Sequence, residues 1–423
     1  MTDLLDVWLG TTRIGKLHRR DPKRMVFSYN DEVVESTGAG IGLLSLAMPT
    51  SEQQFSPSAS RTFFDGVLPE DIQRKRVCEL LRIPFADSFA LLRRLGAECA
   101  GAVIVVDPSE NPLAWPTQPP DWIDAASTAA MLRSLRRSPL GIGLGVARLS
   151  LAGVQSKTAL IRGTNGRWAE SSHGNPSTHI LKPAPAEAPE LIRIECLCQH
   201  VVAAAGLAAA HTELLRVEDV ETLVSTRYDR VQGDDSVMRR VHQEDMCQVL
   251  GLHPDAKYYD AKRWPQTTLP NFTRAIVGHS PSPAIARLAI FDATVANFVL
   301  GNLDFHGKNI SIVHRAPGLV EVAPLYDVVC VEALAEQLDL GTTLSLPIGG
   351  HLNPDDVSAA SFARLAHDLG MAPSAAPTRA RNIAARVHAA ISPAADALRN
   401  DGWPSDSYAS VHAVATKRSA QLS

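Results

Sequence analysis

Three oxygen-bearing side chains in the second half of the chain have the types and spacing that suit phosphoryl transfer. Asp304 and Asn309 lie five positions apart in the segment LDFHGKN, and Asp327 ends the segment PLYD. Transfer of a phosphoryl group to a hydroxyl needs a carboxylate that orients and deprotonates that hydroxyl. It also needs oxygen ligands for the Mg²⁺ that bridges the nucleotide phosphates. These three residues are therefore the first candidates for a phosphoryl-transfer site.

Asp304 and Asn309 taken alone favour a simpler explanation. Asp, Gly and Asn are all typical of polar turns, and a turn would contain the same residue types. In the catalytic loop of protein kinases an Asn follows the catalytic Asp at this offset, and a second Asp comes later in the chain. Asp327 follows the strand-like runs ISIVH and LVEVAPL, where that second Asp is expected. The three residues together therefore favour a kinase-type site over an ordinary turn.

Two charged residues upstream could complete such a site. Lys182 ends the alternating run THILKP, and a strand lysine that faces a cleft can neutralise nucleotide phosphates. An exposed lysine at the end of a strand would have the same pattern. Glu195 lies on the next predicted helix, where a carboxylate that orients Lys182 is expected. Its spacing is equally compatible with a solvated helix face.

The segment LSLAGVQSKTAL lies between strand-like runs upstream of Lys182, where a loop that covers phosphates is expected. It is not a Walker A loop, because the GxxxxGK[ST] pattern is absent. It contains one glycine, Gly153, followed by Gln155, Ser156 and Lys157. Backbone amides together with Lys157 could bind phosphate groups.

The elements that position these residues are predicted from the apolar patterns. Strands are expected at LLDVWLG, KRMVFSY and AGAVIVVD, and helices between Phe64 and Leu95. The proline-rich segment DPSENPLAWPTQPPDW predicts a boundary. KTALIRG and RWAE predict a hairpin closed at Asn165-Gly166. The helix that begins near Pro189 has one apolar stripe, which comprises Leu191, Ile194, Cys198, Val201 and Ala205.

Beyond that helix, ELLRVED and TLVSTRYDR predict two more strands, and the rest of the chain is mainly helical. A polar loop at LDFHGKN and a hairpin through Pro317-Gly318 interrupt the helices. The predicted domain limits are 1–107 for an N-terminal subdomain and 108–122 for a linker. A β-rich nucleotide lobe then covers 123–230, and a helical lobe with the catalytic loop covers 231–423.

Composition excludes several classes of protein. A chain of 423 residues is too long for one ordinary domain, and 45% apolar residues allow a sizeable core. Lys and Arg number 41 against 45 Asp and Glu, a net charge of −4, which excludes a highly basic nucleic-acid coat.

The N-terminus and the cysteines indicate a cytoplasmic protein. Asp3 and Asp6 lie where a secretion signal would be basic, and no apolar run approaches the ~20 residues of a membrane-spanning helix. The six cysteines include Cys196 and Cys198, but no second pair completes a zinc site. We expect six buried free thiols and no membrane partner.

Taken in order, these motifs make the chain resemble the HipA-type toxin kinases of bacterial type II toxin–antitoxin systems. The resemblance runs from about Phe63 to Asp327, and QEDMCQ together with DxHxKN is its most specific part. The matching segments are FFDGVLPE, LLRRLGAECAGAV, RLSLAGVQSKTAL, THILKP, TRYDR, QEDMCQVLG, NFVLGNLDFHGKN and PLYD. The last hundred residues match only in helical character. The resemblance implies an α+β fold of the atypical two-lobed protein-kinase type, with an extra N-terminal α/β subdomain.

The resemblance also implies roles for the candidate residues. Asp304 would be the catalytic base, and His306 and Lys308 would belong to the same catalytic loop. Asn309 and Asp327 would bind Mg²⁺. In the hinge segment TRYDR, backbone atoms would meet the adenine. The residues implied to bind ATP are Ala152, Gly153, Val154, Gln155, Ser156, Lys157, Lys182, Thr226, Arg227, Tyr228, His306 and Asn309.

Ser150, in the run RLSLAG, matches the serine that the family autophosphorylates. A phosphate added there would repel the nucleotide phosphates and favour ejection of the loop. An ordinary hydroxyl at the end of a strand is the alternative explanation.

Four positions depart from the family's pattern. Phe305 replaces a small residue after the catalytic Asp, Ser156 and Thr226 each replace Glu, and His242 replaces Pro before QEDMCQ. Ser156 could itself be a second autophosphorylation site. None of the four replaces a proposed catalytic group, so they bear on substrate choice and not on activity.

The function that the resemblance implies is a toxin Ser/Thr kinase. It would transfer the ATP γ-phosphate to a serine of an aminoacyl-tRNA synthetase, most commonly the glutamyl enzyme, which stops translation and promotes growth arrest and persistence. A helix-turn-helix antitoxin of the HipB type would neutralise it and carry most of the affinity for operator DNA, in keeping with the net charge of −4. Two arginine clusters could add phosphate contacts or lie on solvated helix faces; they comprise Arg133, Arg136, Arg137, Arg379, Arg381 and Arg386.

Two other functions stay open at this point. A catalytically quiet regulator could act on a promoter together with a DNA-binding partner. A kinase with the same catalytic loop could phosphorylate a small molecule or a lipid headgroup.

Overall fold

The structure is a computed structural model, and it describes residues 3–21, 24–115, 119–135, 155–171, 174–234, 237–334 and 341–423. The chain divides into two compact units. The first comprises Met1–Pro183, Leu215–Pro254 and Val313–Leu319, and the second comprises Ala184–Leu214, Asp255–Ile312 and Val320–Ser423. The domain limits predicted from the sequence stay a prediction.

The first unit begins with a four-stranded antiparallel sheet in the order β3-β2-β1-β4. Its strands are β1 (Leu4–Leu9), β2 (Thr12–Asp21), β3 (Arg24–Tyr29) and β4 (Val103–Val106). Four helices lie between β3 and β4 in the chain: α1 (Asp31–Thr37), α2 (Pro57–Gly66), α3 (Asp71–Leu81) and α4 (Ser88–Leu95). The three predicted strands and the helical region from Phe64 to Leu95 are confirmed. Strand β2 and helix α1 were not expected.

Local chemistry explains where these elements begin and how they pack. Helices α2 and α4 begin where the side chains of Ser56 and Asp87 accept a hydrogen bond from a backbone amide three residues later. Gly15 in β2 is required by close packing, because a Cβ there would lie 2.2 Å from the carbonyl oxygen of Ser28. The inner face of the sheet buries Leu5, Val7 and other apolar residues in one core with α2 and α4.

A second sheet of the first unit has six strands in the order β5-β7-β6-β8-β10-β9. These are β5 (Trp122–Ile123), β6 (Thr158–Arg162), β7 (Trp168–Glu170), β8 (His179–Pro183), β9 (Thr212–Val217) and β10 (Val220–Thr226). The predicted hairpin at Asn165-Gly166 is confirmed as β6 and β7, with Gly166 at φ +77°. Helix α5 (Ala125–Ser134) packs on this sheet through buried apolar side chains.

The remainder of the first unit is short elements. Strands β11 (Arg230–Gln232) and β12 (Met238–Arg240) form a hairpin. Strand β13 (Gln243–Asp245) leads into helix α7 (Met246–Val249), whose first turn is closed by a capping box between Asp245 and Gln248. The predicted signature QEDMCQ thus forms a strand and a capped helical turn.

The second unit is mainly helical. Its helices are α6 (Leu191–Ala204), α8 (Leu269–Val277), α9 (Pro283–Val299), α10 (Ala359–Asp368), α11 (Ala376–Asn400) and α12 (Ser407–Ala420). The stripe predicted for α6 is buried except at Leu191, which is partly buried. Helix α11 packs against α6, α9, α10 and α12. Arg379 on α11 makes a bidentate ion pair with Asp292 on α9, with one Nε–Oδ1 distance of 2.6 Å. Arg379 therefore ties two helices together. Arg136 and Arg137 lie outside the described residues.

Strands β14 (Ser311–Ala316) and β15 (Leu319–Val322) follow α9 and form the hairpin expected through Pro317-Gly318. Gly318 has φ +73°, a conformation that favours glycine. Three short 3₁₀ segments complete the description: Pro112–Ala114, Pro254–Lys257 and Pro354–Asp356.

All six cysteines are free and buried, which confirms the expectation from the sequence. Burial raises the pKa of the Cys196 and Cys330 thiols to about 12. Of the helices that the structure describes, none combines the length and the apolar character that a membrane crossing requires.

Candidate active site

The loop that carries Asp304 and Asn309 joins α9 to β14 and is closed by its own hydrogen bonds. The backbone amide of Asn309 donates to the carbonyl of His306 at 2.9 Å, and the backbone amide of His306 donates to the carbonyl of Asp304 at 2.8 Å. The side-chain nitrogen of Asn309 donates to the Asp304 carbonyl at 3.0 Å. Because the nitrogen is used there, the amide oxygen of Asn309 points away from that carbonyl and has the chemistry of a Mg²⁺ ligand.

A buried chain of amides connects this loop to α9. The backbone amide of Asp304 donates to Oδ1 of Asn302 at 3.2 Å, and Nδ2 of Asn302 donates to Oδ1 of Asn297 at 2.7 Å. Nδ2 of Asn297 donates to the carbonyl of Ala293 one turn earlier on the helix, at 2.8 Å. The backbone of Asp304 is therefore held by a rigid element, as an accurately placed catalytic group requires.

The carboxylate of Asp304 accepts a hydroxyl hydrogen bond. The phenol of Tyr258 donates to Oδ1 of Asp304 at 3.0 Å, a distance within the range of a general base and its substrate hydroxyl. The Tyr258 ring also meets the His306 ring edge to face, with centroids 5.2 Å apart. Tyr258 is 44% exposed, so solvent reaches this side of the carboxylate.

Tyr258 was missed by the sequence reasoning. It lies 46 positions before Asp304, and nothing local in the segment KYYD indicates a contact with the catalytic loop. The only signal in the sequence is the residue type, since a tyrosine hydroxyl can donate a hydrogen bond to a carboxylate.

The other predicted loop residues are buried. Nδ1 of His306 accepts from the backbone amide of Lys308 at 3.2 Å, which leaves Nε2 as the protonated nitrogen of a neutral ring. The carbonyl of Lys308 accepts from the hydroxyl of Tyr326 at 2.7 Å, and that hydroxyl also lies 2.6 Å from the hydroxyl of Ser311. Tyr326 precedes Asp327, so the segment PLYD is bonded to the catalytic loop.

Asp327 has a backbone conformation that is rare for a residue with a side chain. Its φ of +53° lies in the left-handed region, which is sparsely populated by residues other than glycine and is concentrated at functional sites. The preceding strand-like segment is fixed to α6, since the carbonyl of Leu325 accepts from the side chain of Gln199 at 3.3 Å. Asp327 and Asn309 thus offer a carboxylate and an amide oxygen on two segments that Tyr326 joins.

Lys182 and Glu195 are both buried, each about 4% exposed. Lys182 pairs with Leu223 in register between β8 and β10 of the first unit, and Glu195 lies on α6 of the second. The exposed strand-end lysine and the solvated helix face considered above are therefore wrong explanations for these two residues. A buried charge is costly unless it is paired, so neither side chain is an ordinary surface group.

The predicted phosphate loop is described only in part. Gln155, Ser156 and Lys157 lead directly into β6. Four predicted site residues lie outside the described residues: Ser150, Ala152, Gly153 and Val154.

The hinge segment follows β10 in the first unit. Thr226 is the last residue of that strand and pairs with His179. The backbone amide of Arg227 donates to the carbonyl of Thr178 at 3.0 Å, and the hydroxyl of Tyr228 donates to the side chain of Gln243. The predicted hinge is thus anchored on one side by the sheet.

The Arg227 guanidinium belongs to a buried ion cluster and not to an open cleft. It makes two bonds to Asp229, at 2.9 and 2.8 Å, and one to Glu98 at 3.2 Å. Arg230 donates to the same Glu98 oxygen at 3.0 Å, and Arg240 pairs with the other oxygen. Burial alone would raise the pKa of Glu98, but Arg240, Arg230 and Arg227 lower it to about 2. The side chain of Arg227 is therefore occupied in holding the hinge segment.

Two known protein domains match most of this chain. Residues 149–394 match the HipA-like C-terminal domain, and residues 5–106 match the HipA N-terminal domain. The chain belongs to the HipA family. The predicted family is confirmed, and the C-terminal match extends the resemblance well beyond Asp327.

Individual HipA-family proteins are similar along most of their length. Y4mE, a kinase candidate of Sinorhizobium fredii, is 33% identical over 371 residues, which cover 87% of this chain and 86% of that protein. The serine/threonine-protein kinase toxin HipA of Shewanella oneidensis is 27% identical over 339 residues, 78% of this chain and 76% of that protein.

A solved structure of Shewanella oneidensis HipA, in complex with HipB and its operator DNA, has the same fold. The TM-score is 0.81 at 23% identity, and the alignment covers 99% of this chain and 96% of that chain. The predicted α+β, kinase-like fold with its additional N-terminal subdomain is thereby confirmed. The relatives place the chain among kinases, and the roles of individual site residues stay predictions.

Proposed function

We propose that this chain is a toxin kinase that transfers the γ-phosphoryl group of ATP to a serine hydroxyl of a protein. The observation that supports it most is the bond from the Tyr258 hydroxyl to Oδ1 of Asp304, at 3.0 Å. A carboxylate that accepts one hydroxyl in this way can accept a substrate hydroxyl in the same position. The amide chain from α9 holds that carboxylate's backbone in place.

Each of the chain's own residues has a defined task in this proposal. Asp304 orients the substrate hydroxyl and takes its proton. The amide oxygen of Asn309 and the carboxylate of Asp327 are the ligands for Mg²⁺, which when bound supplies positive charge to the phosphate oxygens. Lys182 neutralises nucleotide phosphates. The loop from Ala152 to Lys157 covers the phosphates.

His306 and Lys308 shape the catalytic loop in the proposed enzyme. The neutral ring of His306 is fixed by its bond from the Lys308 backbone, at 3.2 Å. The backbones of Thr226 and Tyr228 meet the adenine, while the Arg227 side chain holds the segment from within the ion cluster.

The proposed protein substrate is an aminoacyl-tRNA synthetase, with the glutamyl enzyme first, and the consequence is arrest of translation and growth. The synthetase is what the family resemblance implies, and the relative from Shewanella oneidensis, described as a serine/threonine-protein kinase toxin, supports a toxin kinase in general. This activity places the chain in the cytoplasm. Ser150 is the proposed autophosphorylation site, with Ser156 as a second, and phosphate there would repel bound nucleotide.

A helix-turn-helix antitoxin of the HipB type is the proposed partner. The similar solved structure holds HipA together with HipB and operator DNA. A chain of net charge −4 has no electrostatic excess for DNA of its own, so we assign most of the operator affinity to the antitoxin.

Phosphorylation of a synthetase in cell extract tests this function. Wild-type protein with Mg²⁺ and labelled ATP is expected to label a synthetase band, and Asp304→Asn is expected to leave it unlabelled. Asp368→Asn, an exposed change on α10, is the matched control and keeps full labelling. Failure to bind Mg·ATP would instead favour the catalytically quiet regulator, and label found only in small molecules would favour the small-molecule kinase.

A further inference from the structure

A buried group of two imidazoles and one carboxylate lies in the first unit and includes none of the proposed catalytic residues. It comprises His242, Glu244 and His314, and one ligand atom of each lies within 4.8 Å of the others. The backbone amide of His314 donates to the carbonyl of His242 at 2.9 Å, so β14 brings its histidine beside β13. Their rings have centroids 4.6 Å apart. Residues about 70 positions apart in the chain thus converge on one place.

Two polar atoms of this group are buried without a hydrogen-bond partner in the described part of the chain. They are Oε2 of Glu244 and Nδ1 of His242. Glu244 is 0% exposed and His242 5% exposed, so bulk water does not satisfy these atoms. A buried acceptor without a donor is costly, and such atoms call for a missing partner. Both atoms are lone-pair donors, which is what a metal ion requires.

The protonation of His242 is set by its other nitrogen. Nε2 lies 2.8 Å from the carbonyl of Leu44, which only accepts, so Nε2 carries the proton and Nδ1 carries the lone pair. A histidine whose second nitrogen donates to a backbone carbonyl is the usual arrangement around a metal ligand.

Glu244 is oriented in a comparable way. Its Oε1 accepts from the backbone amide of Leu46 at 3.1 Å and from Nε2 of His314 at 2.8 Å. These bonds fix one carboxylate oxygen and leave Oε2 as the atom without a partner. Leu44 and Leu46 are two positions apart, so one short backbone segment bonds to both His242 and Glu244.

We propose that His242, Glu244 and His314 form a binding site for a divalent ion of the zinc class. Two imidazoles and one carboxylate are a ligand set of that class, with one position left for water. Ligand atoms around a tetrahedral Zn²⁺ lie about 3.3 Å apart. The candidate ligand atoms lie within 4.8 Å of one another, so binding of the ion would draw them closer together. The site joins β13 to β14, and its role is structural.

The inference does not rest on the proposed kinase function, and the two sites prefer different ions. Mg²⁺ takes oxygen ligands and retains its water, whereas imidazole suits Zn²⁺. The group includes His242, one of the four positions at which the chain departs from the family's pattern. Zinc binding would explain why a histidine is present there.

Metal binding by the full-length protein tests the proposal. Protein stripped of metal is titrated with Zn²⁺ against a chromophoric chelator, in the presence of excess Mg²⁺. We expect one Zn²⁺ per chain, and at least a tenfold loss of affinity in His314→Ala and in Glu244→Gln. Asp327→Asn, at the proposed Mg²⁺ site, keeps the affinity of the wild type.

A matched control excludes adventitious binding to paired histidines. His388 and His412 also have ring centroids 4.6 Å apart, but both are only half-buried and no described carboxylate completes a ligand group there. His388→Ala is expected to leave Zn²⁺ binding unchanged. Binding that is lost in His388→Ala and kept in His314→Ala overturns the proposal, as does absence of stoichiometric binding in the wild type.

A thermal measurement covers the case in which a variant folds poorly. Added Zn²⁺ is expected to raise the Tm of the wild type, and His314→Ala is expected to show no such rise. Tetrahedral d–d absorption bands after substitution with Co²⁺ would support the ligand set directly. A rise of equal size in both proteins would contradict the proposed site.

Discussion

Replacement of Glu98 by Gln tests whether the buried ion cluster holds the hinge segment. The carboxylate of Glu98 is completely buried and faces three guanidinium groups, those of Arg227, Arg230 and Arg240. Gln keeps the shape of the side chain but removes the charge. Arg227 and Arg230 would then keep only the carboxylate of Asp229, and Arg240 would lose its ion pair with Glu98.

The expected loss of stability follows from the pKa of Glu98. Although burial alone would raise it, the three arginines lower it from 4.5 to about 2. Since a tenfold change in an ionisation constant corresponds to about 1.4 kcal/mol, this difference corresponds to about 3 kcal/mol at neutral pH. Removal of one partner from a buried ion pair typically costs a similar amount, about 3–5 kcal/mol.

The sign of the pH dependence follows from the same values. In the unfolded chain Glu98 takes up its proton near pH 4.5, whereas in the folded chain it stays charged down to about pH 2. The stabilisation is therefore fully present above about pH 5 and is lost progressively as the pH falls towards 2. Gln does not titrate, so the wild type and Glu98→Gln become more similar in stability at low pH.

Equilibrium urea denaturation at several pH values measures this difference. Glu98→Gln is expected to lower the free energy of unfolding by about 3 kcal/mol at pH 7 and by about 1 kcal/mol at pH 3. Glu52→Gln, at an exposed position of the same unit, is the control, and such surface changes stay within about 0.5 kcal/mol. A variant as stable as the wild type at pH 7, or a difference independent of pH, would refute the reasoning.

Two further changes test the catalytic loop, and a third tests the packing of the N-terminal sheet. Tyr258→Phe removes the hydroxyl that occupies Oδ1 of Asp304. The KM for the protein substrate is therefore expected to fall about three- to tenfold, in line with one hydrogen bond of about 1 kcal/mol. An unchanged KM in steady-state kinetics would show that the contact does not compete with substrate. Asn302→Ala breaks the amide chain between α9 and Asp304, and we expect kcat to fall at least tenfold while the affinity for ATP, measured by calorimetry, stays the same. Gly15→Ala places a Cβ 2.2 Å from the carbonyl of Ser28. Thermal denaturation is therefore expected to show that the free energy of unfolding falls by about 3 kcal/mol or more. An unchanged stability would argue against this register of β2 and β3.

The elements that could be predicted from the sequence are those with a strong local pattern. The hairpin at Asn165-Gly166 has a glycine where the turn takes positive φ, and the α6 stripe repeats every three to four residues. Both patterns arise within about 15 neighbouring positions, where periodicity and turn chemistry act. The loop motif with Asp304 and Asn309 has the same local character.

Strand β2 and helix α1 were not predicted because their sequences give mixed signals. The strand TRIGKLHRRD contains a glycine and several basic residues, and its stability comes from two neighbouring strands. The helix DEVVEST is only seven residues long and contains two valines, which favour strands. In both cases tertiary contacts outweigh the local preference.

The contacts that define the sites are long-range, and no local pattern encodes them. Glu98 meets Arg227 across 129 positions, and Tyr258 meets Asp304 across 46. A single sequence shows the charges but not their pairing. The same applies to His242 and His314, which become neighbours only when β13 and β14 lie side by side.

Phosphoryl transfer by the purified chain tests the central claim most directly. Wild-type protein and Asp304→Asn are each incubated with labelled ATP and Mg²⁺, and the phosphopeptides of the chain are mapped by mass spectrometry. The proposal predicts phosphate on Ser150 of the wild type and none on the variant. Equal phosphorylation of both proteins, or none in the wild type together with no transfer to a synthetase, would contradict Asp304 as the base of a kinase.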